Sequence, residues 1–269
     1  MLHSLTMWWM VLLLSLWMYC WRPHRTETLV WPQPKDVLNP DGVRLFLCLG
    51  LPGILANAEW VYFELFIFAA GELGTIALAA NSIAYSLIPI CFTVPLGLQV
   101  GLTTRVGHLM AQGQPARARE LVVVVMSVAL AMAVFVASLV FWQRNNIILS
   151  YSDNVKVAET AKSIWTPLSL FLVLDAIFGC QSGIMRSLSL QAYFSGVVFV
   201  SLFLLGLPIV LVFGFALKWG IVGLWIGFPA PYILLNLLLW RKWRSYDFEV
   251  QSKEVMARES RIKSIRSAL

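Results

Sequence analysis

Charge is what this sequence has least of. Asp, Glu, Lys and Arg make up 13% of its 269 residues, against 59% hydrophobic residues and a mean hydropathy of +0.76. Soluble domains carry about 25% charged and roughly 45–50% apolar residues, so a water-soluble globule is excluded and lipid is the solvent for most side chains. Histidine is nearly missing as well. His3, His24 and His108 stand far apart, each near the end of an apolar run, and form no metal cluster. The cysteines Cys20, Cys48, Cys91 and Cys180 lie in apolar runs without a Cys-x-x-Cys pair, which reads as small buried hydrophobes rather than disulfides or metal ligands. Phosphate-binding glycine loops and nucleophile–base constellations are also lacking. These absences argue against an enzyme and imply no cofactor. The net charge of +6 comes from short Lys and Arg clusters flanking apolar runs, the positive-inside pattern of membrane proteins, which argues against a nucleic-acid partner.

What is present is a succession of apolar runs that predicts an all-α, polytopic membrane helix bundle of about seven spans. Leu5 to Trp21 forms the first. Basic residues follow it rather than precede it (Arg22 and Arg25), the reverse of a signal peptide. A polar connector with Pro23, Pro32, Pro34 and Pro40 then separates residues 1–22 from a six-helix lobe over 43–244, with a linker at 23–42 and a tail at 245–269. Within the lobe the expected spans are Val43–Gly71, Thr75–Leu102, Leu121–Trp142, Ile164–Met185, Leu190–Leu217 and Gly223–Trp240. Pro52 is expected to kink the first of these, and Pro89 and Pro95 to interrupt the next. The stretch Thr103 to Glu120 reads as a cytosolic connector in which Gln114-Pro115 could start a helix that runs into the next span, and Gln143 to Ser163 as an outer connector. The tail is expected to be a surface helix or disordered. The distribution of arginines places the N-terminus outside and the C-terminus in the cytosol.

Three acids lie inside these runs: Glu59 and Glu64 in the second span and Asp175 in the fifth. A charge in that position costs at least about 3 kcal/mol, so it needs a partner, a proton or a water-filled cavity, and such residues are functional by default. Glu59 and Glu64 are about 140° apart around a helix, which argues against a two-carboxylate catalytic or metal pair. Asn81, Tyr85, Phe92 and Gln99 fall near one helical face that could line a cavity, and interhelical hydrogen bonding accounts for Asn57, Asn81 and Gln99 equally well. Trp60, Tyr62 and Tyr85 could stack on an organic cation, or simply pack.

The run Glu59-Trp60-Val61-Tyr62-Phe63-Glu64 resembles the Glu-Trp-Trp-x-x-Glu segment of the multidrug and toxic compound extrusion (MATE) family, eukaryotic branch. Leu78-Ala79-Ala80-Asn81-Ser82-Ile83, Val94-Pro95-Leu96-Gly97 and Thr104-Arg105-Val106-Gly107 are similar to family motifs on the following spans. So are Ser182-Gly183-Ile184-Met185-Arg186 and Gly223-Leu224-Trp225-Ile226-Gly227. The resemblance covers Val43 to about Arg244. It implies the C-terminal lobe of a twelve-span, two-lobe transporter, with Leu5–Trp21 standing in for the last span of an N-terminal lobe whose other spans are missing.

By the same resemblance, Glu59, Glu64 and Asp175 couple protons or cations, and Asn57, Trp60, Tyr62, Asn81, Tyr85 and Gln99 line the substrate cavity. The sequence departs from the family at Ala77, where many eukaryotic members carry an acid, and at Arg186-Ser187-Leu188-Ser189-Leu190-Gln191, where a Gly-x-Gly-Arg-Gln-Lys loop is usual. The implied activity is secondary antiport of organic cations or drug-like compounds against H⁺ or Na⁺, in a plasma, vacuolar or vesicular membrane. The implied partners are the lipid bilayer, small cationic substrates and an N-terminal lobe. Two alternatives stand beside it. A seven-span receptor fits the span count and orientation but not the sequence, which lacks Asp-Arg-Tyr and Asn-Pro-x-x-Tyr motifs. An inactive, truncated lobe is the other.

Overall fold

The computed structural model describes residues 2–21, 40, 43–44, 47, 50, 58–253 and 255–257. All regular structure among them is helical. The chain divides into two units, Met1–Gly50 and Leu51–Leu269. The first contains α1, Leu2–Trp21. At about 1.5 Å per residue its 20 residues reach some 30 Å, the thickness of a bilayer's hydrocarbon core.

The described residues of the second unit form a helical bundle that includes α2 (Glu59–Glu72), α3 (Thr75–Ala111), α4 (Pro115–Trp142), α5 (Arg144–Tyr151), α6 (Val155–Ser187), α7 (Gln191–Ala216) and α8 (Gly220–Arg244). Of these, α3, α4, α6, α7 and α8 are long and apolar enough to cross a membrane. The expected second span is described only from residue 58 onward as α2. The kink expected at Pro52 and the cavity residue Asn57 lie outside the described residues.

The α2–α3 joint is as tight as the sequence suggests. Leu73 and Gly74 donate back to the carbonyls of Ala70 and Gly71, and Gly74 sits at φ 102°, a backbone region closed to most side chains. Elsewhere the helices outrun the expected spans. Neither Pro89 nor Pro95 stops α3, which runs 37 residues to Ala111. Each proline removes one backbone donor. Between them the Thr93 hydroxyl bonds the Pro89 carbonyl at 3.0 Å, the common back-bond of a helical threonine. The connector expected over Thr103 to Glu120 shrinks to residues 112–114 between α3 and α4, because α3 runs on past Leu102, while α4 begins at Pro115, where the sequence allowed a helix to start. The outer connector, Gln143 to Ser163, is helical too. It holds α5 and the first turns of α6, which begins where Asn154 accepts the Lys156 amide at 3.0 Å. Polar residues read as loop fit helix ends that rise above the lipid, where water satisfies their side chains.

The centre of the bundle is α6, which packs against α3, α4 and α8 and is the most buried of the spans. It carries Trp165, Leu168, Phe171, Cys180, Ile184 and Met185, all essentially inaccessible. The outer helices instead present Ile90, Phe135 and Leu204, each more than half exposed, the face that a hydrocarbon solvent requires. The helix α7 is wound wide as a π-helix over Phe199–Gly206 and again over Val212–Ala216, flanking Pro208. A proline that cannot donate to the preceding turn explains such local rewinding. Of the tail, residues 248–253 are helical and docked on the bundle. Phe248, Gln251 and Ser252 are buried, and the Ser252 hydroxyl bonds the Met110 carbonyl at the end of α3 at 2.8 Å.

Candidate functional site

Two of the three intramembrane acids meet in one place. Glu59 opens α2, and its Oε1 accepts a 2.6 Å hydrogen bond from the Tyr232 hydroxyl on α8. Asp175, in the middle of α6, is 4% exposed. Both line a small pocket with Trp60 and Phe63 of α2 and with Tyr85, Ile88, Pro89 and Phe92 of α3. Its volume is about 40 Å³. That admits a bare ion or a water or two, since one water needs at least about 10–15 Å³, and is far below the ~300–1,000 Å³ of pockets for drug-sized ligands. Within this lobe the acids therefore face an ion-sized space.

Three helices hold the pair, and aromatic packing fixes their approach. Phe228 on α8 stands at the hub. Its ring is stacked on Tyr62 at 5.2 Å and lies 4.2 Å from Phe66, 5.5 Å from Phe63 and 4.8 Å from Phe171. Tyr232, one turn on, meets Phe171 edge-on at 4.9 Å. Offset and edge-to-face contacts of this kind add about 0.5–1.5 kcal/mol each to the area they bury. They also aim the Tyr232 hydroxyl at Glu59. Below it Asn236 donates to the carbonyls of Leu174 and Tyr232 and accepts from Gln181, tying α8 to the turn of α6 that carries Asp175.

The remaining sequence-singled residues are distributed differently. Glu64 is exposed and does not line the acid pocket, in keeping with its separation of about 140° from Glu59 around the helix. Trp60 and Tyr85 border the acid pocket. Tyr62 is buried in the aromatic hub. Asn81 and Gln99 are buried in helix–helix contacts: Asn81 accepts the Trp225 indole N–H at 3.0 Å, and the Gln99 amide donates to the Ser182 hydroxyl at 2.7 Å. Replacing Trp225 by Phe is expected to cost about 1 kcal/mol, the scale of an interhelical hydrogen bond in a membrane, read as a lower denaturation midpoint in detergent.

Tyr232, Asn236, Phe171 and Phe228 were not distinguishable by sequence pattern. Each is an aromatic or amide residue in an otherwise apolar span, and only the packing of α2, α6 and α8 gives it a place. A polar side chain at mid-span, as with Asn236, is the one local signal that could have pointed there.

Residues 52–212 match the MatE family. The chain is similar to the probable multidrug resistance protein NorM of Xylella fastidiosa (strain Temecula1 / ATCC 700964), 28% identical over 250 residues that cover 89% of this chain and 50% of that protein. It is likewise 28% identical to multidrug and toxin extrusion protein 1 of Danio rerio over 225 residues, 83% of this chain and 38% of that one. The chain thus spans about a third to a half of the curated relatives it matches. Among solved structures, the eukaryotic MATE transporter AtDTX14 shares the fold, with a TM-score of 0.80 and 24% identity over 93% of this chain and 56% of that one. With more than half of its length matched by the family and its helices arranged as in a solved member, the chain is a multi-pass membrane protein that belongs to the MatE family of transporters.

Proposed function

We propose that this chain forms the ion-coupling lobe of a secondary antiporter that extrudes organic cations or drug-like compounds in exchange for H⁺ or Na⁺. The observation that carries the reading is the convergence of Glu59, held by the Tyr232 hydroxyl, and Asp175 on one ion-sized pocket. Two carboxylates in a low-dielectric pocket repel, and neither has a Lys or Arg on the pocket wall. One small cation, a proton or Na⁺, relieves that repulsion. Release of the cation to the far side of the membrane then becomes linked to any motion that opens the pocket. Antiport follows when the organic cation and the small ion stabilise opposite-facing states, because each shifts the population the other must draw on.

In this reading Glu64, on the exposed face of α2, is a third carboxylate positioned for a second lobe, and Trp60 and Tyr85 guard the pocket mouth. Substrate would bind where the two lobes face each other, since the ion-sized pocket of this lobe cannot hold it. The Arg241, Lys242 and Arg244 cluster at the end of α8 supports a cytosolic C-terminus. The test is efflux of ethidium from proteoliposomes carrying the chain with an N-terminal lobe supplied in trans, under an imposed pH gradient or an imposed Na⁺ gradient. Efflux driven by one gradient and collapsed by the matching ionophore is expected. Ethidium release that ignores both gradients would rule out coupled antiport.

A further inference from the structure

We propose that the groove between α4, α6 and α8 binds one anionic phospholipid, with its phosphate held by Arg119 and Arg244 and an acyl chain laid along the aliphatic wall. This is a separate place from the acid pocket, and the two share no residue. The groove encloses about 600 Å³, within the range of ligand-sized cavities. Its charge is confined to one end. Arg119 lies in the second turn of α4 and Arg244 is the last residue of α8, and both border the groove.

From those arginines the walls become apolar along the chain, through Val123 to Leu130 on α4 and back through Leu237 to Ile233 on α8. Each wall covers 11 residues from charge to far end, about 16 Å of helix. That is half of the ~30 Å hydrocarbon core, the depth of one leaflet. Val123, Leu130, Ile233 and Leu237 are each 45–57% exposed, so the wall is open to a chain from the bilayer.

Two buried polar atoms of the wall lack a protein partner. The Trp243 indole N–H, in a side chain 6% exposed, has no acceptor, and Gln181 Oε1, in a side chain 1% exposed, has no donor. A purely hydrocarbon occupant would leave the indole, one residue from Arg244, unsatisfied at a cost of about 1–3 kcal/mol. A glycerophospholipid with its phosphate at Arg244 carries ester and phosphate oxygens at the level of the Trp243 indole; Gln181, whose amide donates to Asn236 two turns deeper, lies at the level of the acyl chain. The Arg244 guanidinium is held over the Trp240 ring at 4.8 Å, which fixes it at the groove mouth. Arg119 also borders the adjoining hollow containing Glu120, Asp247 and Glu249, so its charge is partly shared and the two arginines must be removed together. The arginines also argue against the organic cation of the transport reading as occupant, by like-charge repulsion. Basic pockets between membrane helices are where acidic headgroups bind.

The inference rests on the chain lying in a bilayer and not on its transporting anything, so a failure of efflux leaves it standing. The experiment is native mass spectrometry of the full chain in detergent, titrated with phosphatidylglycerol or phosphatidylcholine. One-to-one phosphatidylglycerol adducts are expected at concentrations where phosphatidylcholine gives none. Arg119→Ala/Arg244→Ala should weaken them about thirtyfold, the effect of two surface-strength charges, and Arg119→Lys/Arg244→Lys should keep most of the affinity. As a second variant that keeps both charges, Val123→Trp should block the groove and also lose the adduct. Equal retention of both lipids, an unchanged adduct in the double-alanine variant, or displacement of phosphatidylglycerol by millimolar inorganic phosphate would each overturn the proposal.

Discussion

Replacing Asp175 by Asn, or Glu59 by Gln, is expected to lower gradient-driven efflux of an organic cation by roughly 100-fold, the loss that follows when an intramembrane charge interaction of about 3 kcal/mol disappears. Either amide preserves size and hydrogen-bonding capacity and removes the negative charge. The fold should survive, because, among the described residues, the only other carboxylate on the pocket wall repels Asp175 rather than holding it, and the Tyr232 hydroxyl can still donate to an amide oxygen at residue 59. The informative comparison is the double variant. If the two carboxylates share one cation, each single change already empties the site, so Glu59→Gln/Asp175→Asn should be no worse than either alone. Losses that multiply in the double variant would mean that the two acids work at separate steps. Unchanged efflux in both singles would remove the pair from the mechanism.

Substituting Gly183 is expected to have a large effect on stability. A Cβ built there would stand 2.6 Å from the Gln99 carbonyl oxygen and 3.1 Å from its Cα. The neighbour is backbone, so no side chain can swing aside. The two helices would have to part. The contacts at this crossing would go with them: the 2.7 Å hydrogen bond from Gln99 to Ser182 and the 3.2 Å bond from the Thr103 hydroxyl to the Gly183 carbonyl. Small residues at membrane helix crossings exist to allow this approach. Gly183→Ala should cost about 1–3 kcal/mol, the usual cost of overpacking, and Gly183→Leu should abolish a cooperative thermal transition in detergent. A Leu variant with an unchanged melting temperature would mean that α3 and α6 do not pack as closely as described.

Gly183 also shows what a sequence motif can carry. The run Ser182 to Arg186 is legible as a family-like segment, but why it needs glycine and serine appears only where α6 crosses α3. The proline-broken reading of α3 marks the opposite limit. Pro89 and Pro95 are helix breakers by local rule, yet the helix continues through both to Ala111, packed along its length against α6. The connectors drawn at Thr103 to Glu120 and at Gln143 to Ser163 were too long for a related reason. Polarity marks where the chain leaves lipid, and a helix can extend well past that point.

The sequence by itself determined the solvent. Its scarcity of charge and its repeated apolar runs require helices that satisfy their own backbone, and the few carboxylates left in those runs had to be exceptional. The angular rule was also enough to place Glu59 and Glu64 on different faces of α2. Only the tertiary structure decided which acid meets Asp175. That choice depends on α8, more than 170 residues further along, delivering Tyr232 to Glu59, and on Phe228 packing α2 against α6 and α8. Helical periodicity fixes which way a side chain points around its own axis. It carries no information about which other helix stands there, and that contact decides whether a buried charge finds a partner.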